Sequence, residues 1–172
     1  MIRPSRILVA GIGNIFMGDD AFGSEVARRL MYERLPAEVQ VMDFGIRSYD
    51  LAYALMDRYD VTILVDVTSQ KQSPGTLYLI EPDLSQLDQV DEMMFDAHSM
   101  NPGSVLRMLR TLGGSPGKLY LIGCEPAMLD VEDGQIGLSE IVKSSIPKAI
   151  ELIKSLVNDL LSEKLKIEVE TA

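Results

Sequence analysis

Residues 11–23, GIGNIFMGDDAFG, follow the apolar run Ile7–Ala10 and precede a pattern of apolar residues at helical spacing that begins at Phe22. A short apolar run of this kind is typical of a buried strand, and the pattern after it is typical of an amphipathic helix. The stretch is therefore predicted to be a strand-to-helix loop at the carboxyl edge of an open α/β sheet, where ligands usually bind. It carries two carboxylates, Asp19 and Asp20, and no basic residue. This composition favours a cation as the ligand.

The glycines of the loop also raise the alternative of a dinucleotide-binding turn, G-x-G-x-x-G. Gly11 and Gly13 fit that motif, but the sixth position is Phe16, and two acidic residues would repel a pyrophosphate. Asp43, at the end of the next predicted strand, stands where an acidic residue binds the ribose in such proteins. A nucleotide-binding oxidoreductase domain therefore remains an alternative class. A further alternative is that Asp20 only caps the following helix. Capping would account for Asp20 but not for the second acidic residue beside it, Asp19.

Composition limits the function classes. With 172 residues, 47% of them hydrophobic and 24% charged, the chain is expected to be a single globular domain, 1–172. Its net charge of −10 argues against nucleic acid and against an anionic membrane surface as partners. The one cysteine, Cys124, excludes a multi-thiolate metal site. Because no signal-peptide pattern and no apolar stretch of about 20 residues is found, a cytoplasmic protein is expected.

Further along the chain, apolar runs of strand length alternate with helical patterns. The predicted strands span 7–10, 38–43, 61–66, 75–81 and 118–124, and the predicted helices begin near residues 21, 48, 101 and 141. This alternation predicts an α/β fold: a three-layer αβα sandwich with a mainly parallel twisted sheet of about five strands. Right-handed crossovers place the loops after the first three strands along one edge. Asp20, Asp43 and Asp66 are therefore expected at that edge.

His98, the only histidine, precedes a predicted helix start by three residues and could reach the same edge. Together with Asp20 and Asp66 it would form a set of two oxygen ligands and one nitrogen ligand, which suits a borderline divalent metal such as nickel or zinc. Three protein ligands leave a position open for water or a substrate carbonyl, as in a catalytic metal site.

At this point the sequence resembles a known family, the hydrogenase maturation proteases, which are endopeptidases that trim the C-terminus of the large subunit of nickel–iron hydrogenases. The resemblance covers most of the chain. It rests on six segments in this order: GIGNIFMGDDAFG, DFGIRSYDL, VTILVD, AHSMNPGSVL, GCEPAMLD and GLSEIV. Two departures are Ala21-Phe22, where glycine and a small residue are common in the family, and Phe44, where glycine is common.

The resemblance implies that Asp20, Asp66 and His98 are the metal-binding and catalytic residues. It also implies that the metal is nickel brought by the substrate, the precursor of a NiFe hydrogenase large subunit, although zinc or another divalent ion could bind the isolated protein. The predicted substrate-binding residues are Asp43, Gly45 and Arg47 in the DFGIRSYDL segment.

The general base is left open. Asp19 and Asp43 are candidates for activating water or orienting a ligand, and each is equally well explained as a carboxylate that stabilises its loop. A cysteine nucleophile is not expected, because Cys124 lies on a predicted core strand with no base nearby. A non-catalytic nickel-binding or chaperone-like module for the same precursor remains an alternative function.

Overall fold

The computed structural model describes residues 5–86, 102–129 and 136–171, with side chains described as far as residue 163. The five strands in these ranges are β1 Ile7–Ile12, β2 Val39–Gly45, β3 Val61–Val67, β4 Leu77–Ile80 and β5 Lys118–Cys124. The α-helices in these ranges are α1 Phe22–Leu30, α2 Ser48–Leu55, α3 Pro102–Thr111 and α4 Glu140–Thr171. Two short 3₁₀ turns are Gly18–Ala21 and Leu84–Gln86.

The strands form one sheet in the order β2-β1-β3-β5-β4. Four of them, β2, β1, β3 and β5, run parallel, and β4 pairs antiparallel with β5 at the sheet edge. An antiparallel edge strand on an otherwise parallel sheet is common in folds of this type. The predicted α/β sandwich with a mainly parallel five-stranded sheet is confirmed.

The helices bury both faces of the sheet, and β3 shows how the two faces divide. Ile63 and Val65 belong to the apolar cluster that α1 and α4 cover, whereas Leu64 belongs to the cluster that α2 and α3 cover. Side chains alternate between the faces of a strand, so Asp66 lies on the same face as Leu64. The carboxylate at the end of β3 therefore points to the layer of α2 and α3.

Two glycines let the loop after β1 fold tightly against the sheet. A Cβ atom on Gly23 would lie 2.0 Å from the carbonyl oxygen of Val65 and 2.2 Å from that of Ile12. Gly13 adopts φ +147°, and a Cβ atom there would lie 1.8 Å from the carbonyl oxygen of Asp20. Both positions require glycine because backbone atoms occupy the space of a side chain. The start of α1 is thus pressed onto the carboxyl ends of β1 and β3.

The boundaries of several elements differ from the prediction: β1, β2 and β3 each extend one or two residues further at the carboxyl end, and two other differences are larger. A 3₁₀ turn, Gly18–Ala21, precedes α1, where the sequence analysis predicted only loop. Strand β4 is shorter than predicted, Leu77–Ile80 instead of 75–81. Among the described helices, none has a segment long and apolar enough to cross a membrane.

Candidate functional site

Asp20 lies in the 3₁₀ turn between β1 and α1, and its side chain is almost completely buried, with a relative exposure of 3%. The Asn14 N–H donates to its Oδ2 at 2.9 Å. The residue at the N-cap position of α1 is Ala21, and no side chain caps that helix. The alternative that Asp20 is a helix cap is therefore wrong. Its carboxylate instead accepts a hydrogen bond from the loop that it closes.

Asp66 lies near the end of β3 and is 1% exposed. The Val67 N–H donates to its Oδ1 at 2.8 Å. The turn that carries Asp20 packs against β3, and β1 and β3 are neighbours in the sheet. The structure therefore brings two of the predicted metal ligands to adjacent strands at the same carboxyl edge, where each presents a buried carboxylate.

His98, the third predicted ligand, lies outside the described residues. Helix α3 begins four positions later at Pro102, which is buried. Val105 and Leu106 of that helix pack in the same cluster as Leu64, on the face of the sheet that carries Asp66. Within residues 5–86, 102–129 and 136–171, no three His, Cys, Asp or Glu side chains are grouped as a metal site. The three-residue metal set stays a prediction.

Asp19 has a different environment from its neighbour Asp20. Its carboxylate is fully buried and accepts four hydrogen bonds: from Ala127 N–H and Met128 N–H at 2.8 Å each, from Ser139 N–H at 2.7 Å and from the Ser139 hydroxyl at 2.9 Å. Its own N–H donates to the Met128 carbonyl oxygen at 2.9 Å. Asp19 therefore ties the loop after β1 to the segment between β5 and α4. Of the two roles left open for it, these contacts support loop stabilisation.

Asp43, at the end of β2, also bridges two parts of the edge. Its Oδ2 accepts from Arg28 Nε of α1 at 3.0 Å, and its Oδ1 accepts from the Gly45 N–H at 3.0 Å. The carbonyl oxygen of Gly45 in turn accepts from the Gly13 N–H at 3.0 Å. Through these bonds Asp43 joins the loop after β2 to the loop after β1 and to α1.

Arg47 stabilises the turn between β2 and α2, in which it lies. Its guanidinium donates to the carbonyl oxygens of Asp43 and Phe44 at 2.5 and 3.2 Å, and it forms an ion pair with Asp50 at 3.1 Å. The side chain is still 61% exposed. Its outer face is therefore open to a ligand while its position is set by the backbone beneath it.

The three predicted substrate-binding residues, Asp43, Gly45 and Arg47, line one cavity of about 280 Å³. The opposite wall comes from residues 13–16 of the loop after β1. Asn14, whose N–H holds Asp20, belongs to that wall. A group bound in this cavity would lie beside the loop that carries the buried acidic residues.

Cys124 ends β5 and is fully buried. Burial raises the pKa of its thiol to about 12, and the negative charges of Asp19 and Glu125 act in the same direction. A thiol with such a pKa stays protonated at neutral pH and is a poor nucleophile. The prediction that Cys124 is a small buried core residue is confirmed.

Glu125, the next residue, was not singled out from the sequence. It is 4% exposed, and its carboxylate accepts from the Tyr78 hydroxyl at 2.6 Å and the Gln70 N–H at 2.8 Å. Burial, together with the hydrogen bond to Glu125, raises the pKa of Tyr78 to about 12. Because Tyr78 belongs to β4, this carboxylate fixes the antiparallel edge strand to the end of β5. The available sequence signal was a charged residue directly after a buried strand.

Comparison with known proteins assigns the chain to an enzyme class. The sequence profile described as hydrogenase maturation protease matches residues 24–156. The chain is 36% identical over 156 residues to a Methanocaldococcus jannaschii protein assigned as a hydrogenase maturation protease, with 88% of this chain and 96% of that one covered. It is 29% identical over 155 residues to the hydrogenase 2 maturation protease of Escherichia coli K12, with 90% and 92% covered.

The fold agrees with these sequence matches. The solved structure of the hydrogenase maturating endopeptidase HybD from Escherichia coli superimposes with a TM-score of 0.75 and 30% identity, covering 90% of this chain and 93% of that one. The matched family model, relative and structure are all described as maturation proteases or endopeptidases, and the chain is therefore an endopeptidase by class. The chain belongs to the hydrogenase maturation protease family.

Proposed function

We propose that the protein removes the C-terminal extension from the nickel-loaded large-subunit precursor of a NiFe hydrogenase, and that Asp20, Asp66 and His98 recognise the nickel. The observation that carries the proposal is the position of Asp20 and Asp66. Both are buried carboxylates, and the turn of one packs on the strand of the other at the sheet edge where α/β folds bind ligands. Carboxylate oxygens and imidazole nitrogen suit a divalent metal of this type.

The placement of α3 supports His98 as the third member. Since α3 packs over the face that carries Asp66, and His98 precedes it by only four residues in the sequence, we expect the imidazole on the same side of the sheet as Asp66. Neutral imidazole supplies one nitrogen to a metal and leaves the rest of the coordination to the substrate.

The residues at this edge of the sheet would then have separate roles in catalysis and in substrate binding. Asp20 and Asp66 present oxygens from a loop and a strand that are fixed by Asn14 and by the sheet. The substrate's nickel would polarise the scissile carbonyl or lower the pKa of an attacking water. The cavity formed by Asp43, Gly45 and Arg47 would hold the polypeptide beside the metal. No described cysteine competes as nucleophile, because the Cys124 thiol is buried and protonated.

The test is to incubate the purified protein with nickel-loaded precursor and to follow release of the C-terminal fragment by mass spectrometry. Wild-type protein should release the fragment, and nickel-free precursor should stay intact. Asp20→Asn, Asp66→Asn and His98→Ala should abolish release. Asp159→Asn, an exposed carboxylate change in α4, is the matched control and should cleave as wild type does.

The outcomes separate the alternatives. A stable complex without fragment release would favour a non-catalytic nickel-binding module. Normal cleavage by both Asp20→Asn and Asp66→Asn would show that the buried carboxylates do not take part. Normal cleavage by His98→Ala would remove the imidazole from the mechanism and leave the two carboxylates in it.

A further inference from the structure

A second cavity, of about 510 Å³, lies on the other side of the loop after β1, between α1 and the start of α4. We call it the basic groove. It is defined by three apolar side chains, Phe16, Ile136 and Leu138, and three basic ones, Arg28, Arg29 and Lys143. Its volume falls in the range of about 300–1,000 Å³ that is typical of ligand sites. It adjoins the smaller cavity at Phe16 and Arg28, which line both.

The charge of the groove is opposite to that of the protein. The chain as a whole has a net charge of −10, yet one acidic residue, Glu25, faces the three basic side chains. Arg28 is already paired with Asp43 at 3.0 Å and lies 3.6 Å from Glu25. Among the described residues, neither Arg29 nor Lys143 forms an ion pair, and both are exposed. Within the described ranges, two positive charges of the groove are therefore not paired with a carboxylate.

The apolar side chains of the groove are unusually open to solvent. Phe16 is 68% exposed and Ile136 is 77% exposed. Single exposed apolar residues are ordinary, but large ones that share one concave surface with a charged rim mark an interaction site. A simple inorganic anion would leave these side chains in water, and a negatively charged membrane or a nucleic acid would be repelled by the rest of the surface.

We infer that the basic groove binds an acidic segment of the substrate polypeptide that also carries an apolar side chain. The inference rests on the proposed function, because the polypeptide is the precursor that the protein cuts. Ala21, the neighbour of Asp20, lines the groove, so a chain lying in it would pass next to the candidate site. The apolar side chain would pack on Phe16 and Ile136, and its acidic neighbours would pair with Arg29 and Lys143.

The binding test needs no cleavage. The probe is a short fluorescein-labelled peptide of alternating Glu and Leu, titrated with the full chain and followed by fluorescence polarisation; the matched peptide of alternating Lys and Leu is the control. The double variant Arg29→Glu/Lys143→Glu should weaken binding of the Glu/Leu peptide at least about tenfold, and about 0.5 M NaCl should weaken wild-type binding similarly. Arg110→Glu/Lys148→Glu makes the same charge change at exposed residues outside the groove and should bind as wild type does.

Two results would overturn the inference: equal binding of the Glu/Leu peptide by both double variants, or equal binding of the Lys/Leu peptide by wild-type protein. Phe16→Ala should also weaken peptide binding, since the aromatic ring is the apolar anchor; unchanged affinity would contradict that part. With nickel-loaded precursor, the groove double variant should raise KM about tenfold with little change in kcat. Asp20→Asn should keep its peptide affinity and lose cleavage, so a failure of the proposed function is distinguished from a failure of the groove.

Discussion

Replacing Asp19 with asparagine should lower the free energy of unfolding by about 3 kcal/mol. An asparagine can turn its oxygen toward the three donors that now meet Oδ2, which are Ala127 N–H, Met128 N–H and the Ser139 hydroxyl. Its NH₂ group then faces the Ser139 N–H, which lies 2.7 Å from Oδ1. One bond to a charged group is lost, at a cost of about 1.5–3 kcal/mol, and the other three bonds lose their charge assistance.

For a chain of this size the loss corresponds to a fall of about 6–12 °C in Tm, which differential scanning calorimetry measures directly. Asp50→Asn is the control, because its carboxylate is exposed and its ion pair with Arg47 should contribute less than about 1 kcal/mol. A variant of Asp19 that melts within about 2 °C of wild type would refute the assigned structural role. If such a variant also failed to cleave precursor, Asp19 would belong to the chemistry instead.

The remaining predictions concern three other buried positions. Gly23→Ala should unfold the protein or lower its Tm by more than about 6 °C, because the new Cβ would lie 2.0 Å from the Val65 carbonyl oxygen; a native-like melting curve would contradict this. Cys124 should resist iodoacetamide at about pH 9 in the native protein and react fully in urea, since its pKa is raised to about 12. Below the unfolded thiol's pKa of about 8.5, Cys124 is protonated in both the folded and the unfolded protein. As the pH rises from there toward the folded pKa, only the unfolded thiol ionises, and this lowers the free energy of unfolding. The Tm should therefore fall above about pH 9, and it should fall less steeply in Cys124→Ala. Glu125→Gln should lower the free energy of unfolding by about 1 kcal/mol in urea titrations, because the Tyr78 hydroxyl and the Gln70 N–H both donate to Oε2, and an amide oxygen in that place keeps both bonds without their charge assistance; no change would show that the carboxylate's charge is not needed to hold β4.

The sequence predicted the sheet well because its central strands are buried on both faces. The segment VTILVD is a nearly continuous apolar run, as a strand covered by helices on both sides should be, and it was placed within one residue of β3. The direction of β4 could not be predicted in the same way. A short alternating segment such as GTLYLIE has the same local pattern in a parallel or an antiparallel pair, and its direction is set by the connection to β5 and by its place at the edge.

The candidate site also has one part that the sequence predicted and another that it did not. That Asp20 and Asp66 lie at one edge of the sheet follows from the alternation of strands and helices and from right-handed crossovers, which the sequence pattern indicates. The roles of Asp19 and Glu125 do not follow from it. Most of their hydrogen-bond donors are backbone N–H groups, which every residue except proline has, so no residue type marks the partner.

The bonds made by Asp19 form late in synthesis. Its donors follow it in the chain by 108, 109 and 120 residues, so a growing polypeptide on the ribosome has none of these partners until Ala127 has emerged, and it has all of them only after Ser139. Asp20 is the next residue and lies in the same 3₁₀ turn as Asp19. A nascent or prematurely terminated chain that ends before Ser139 would therefore lack two of the four hydrogen bonds that tie the loop after β1 to the segment before α4, so that loop reaches its final anchoring only after all five strands have been synthesised.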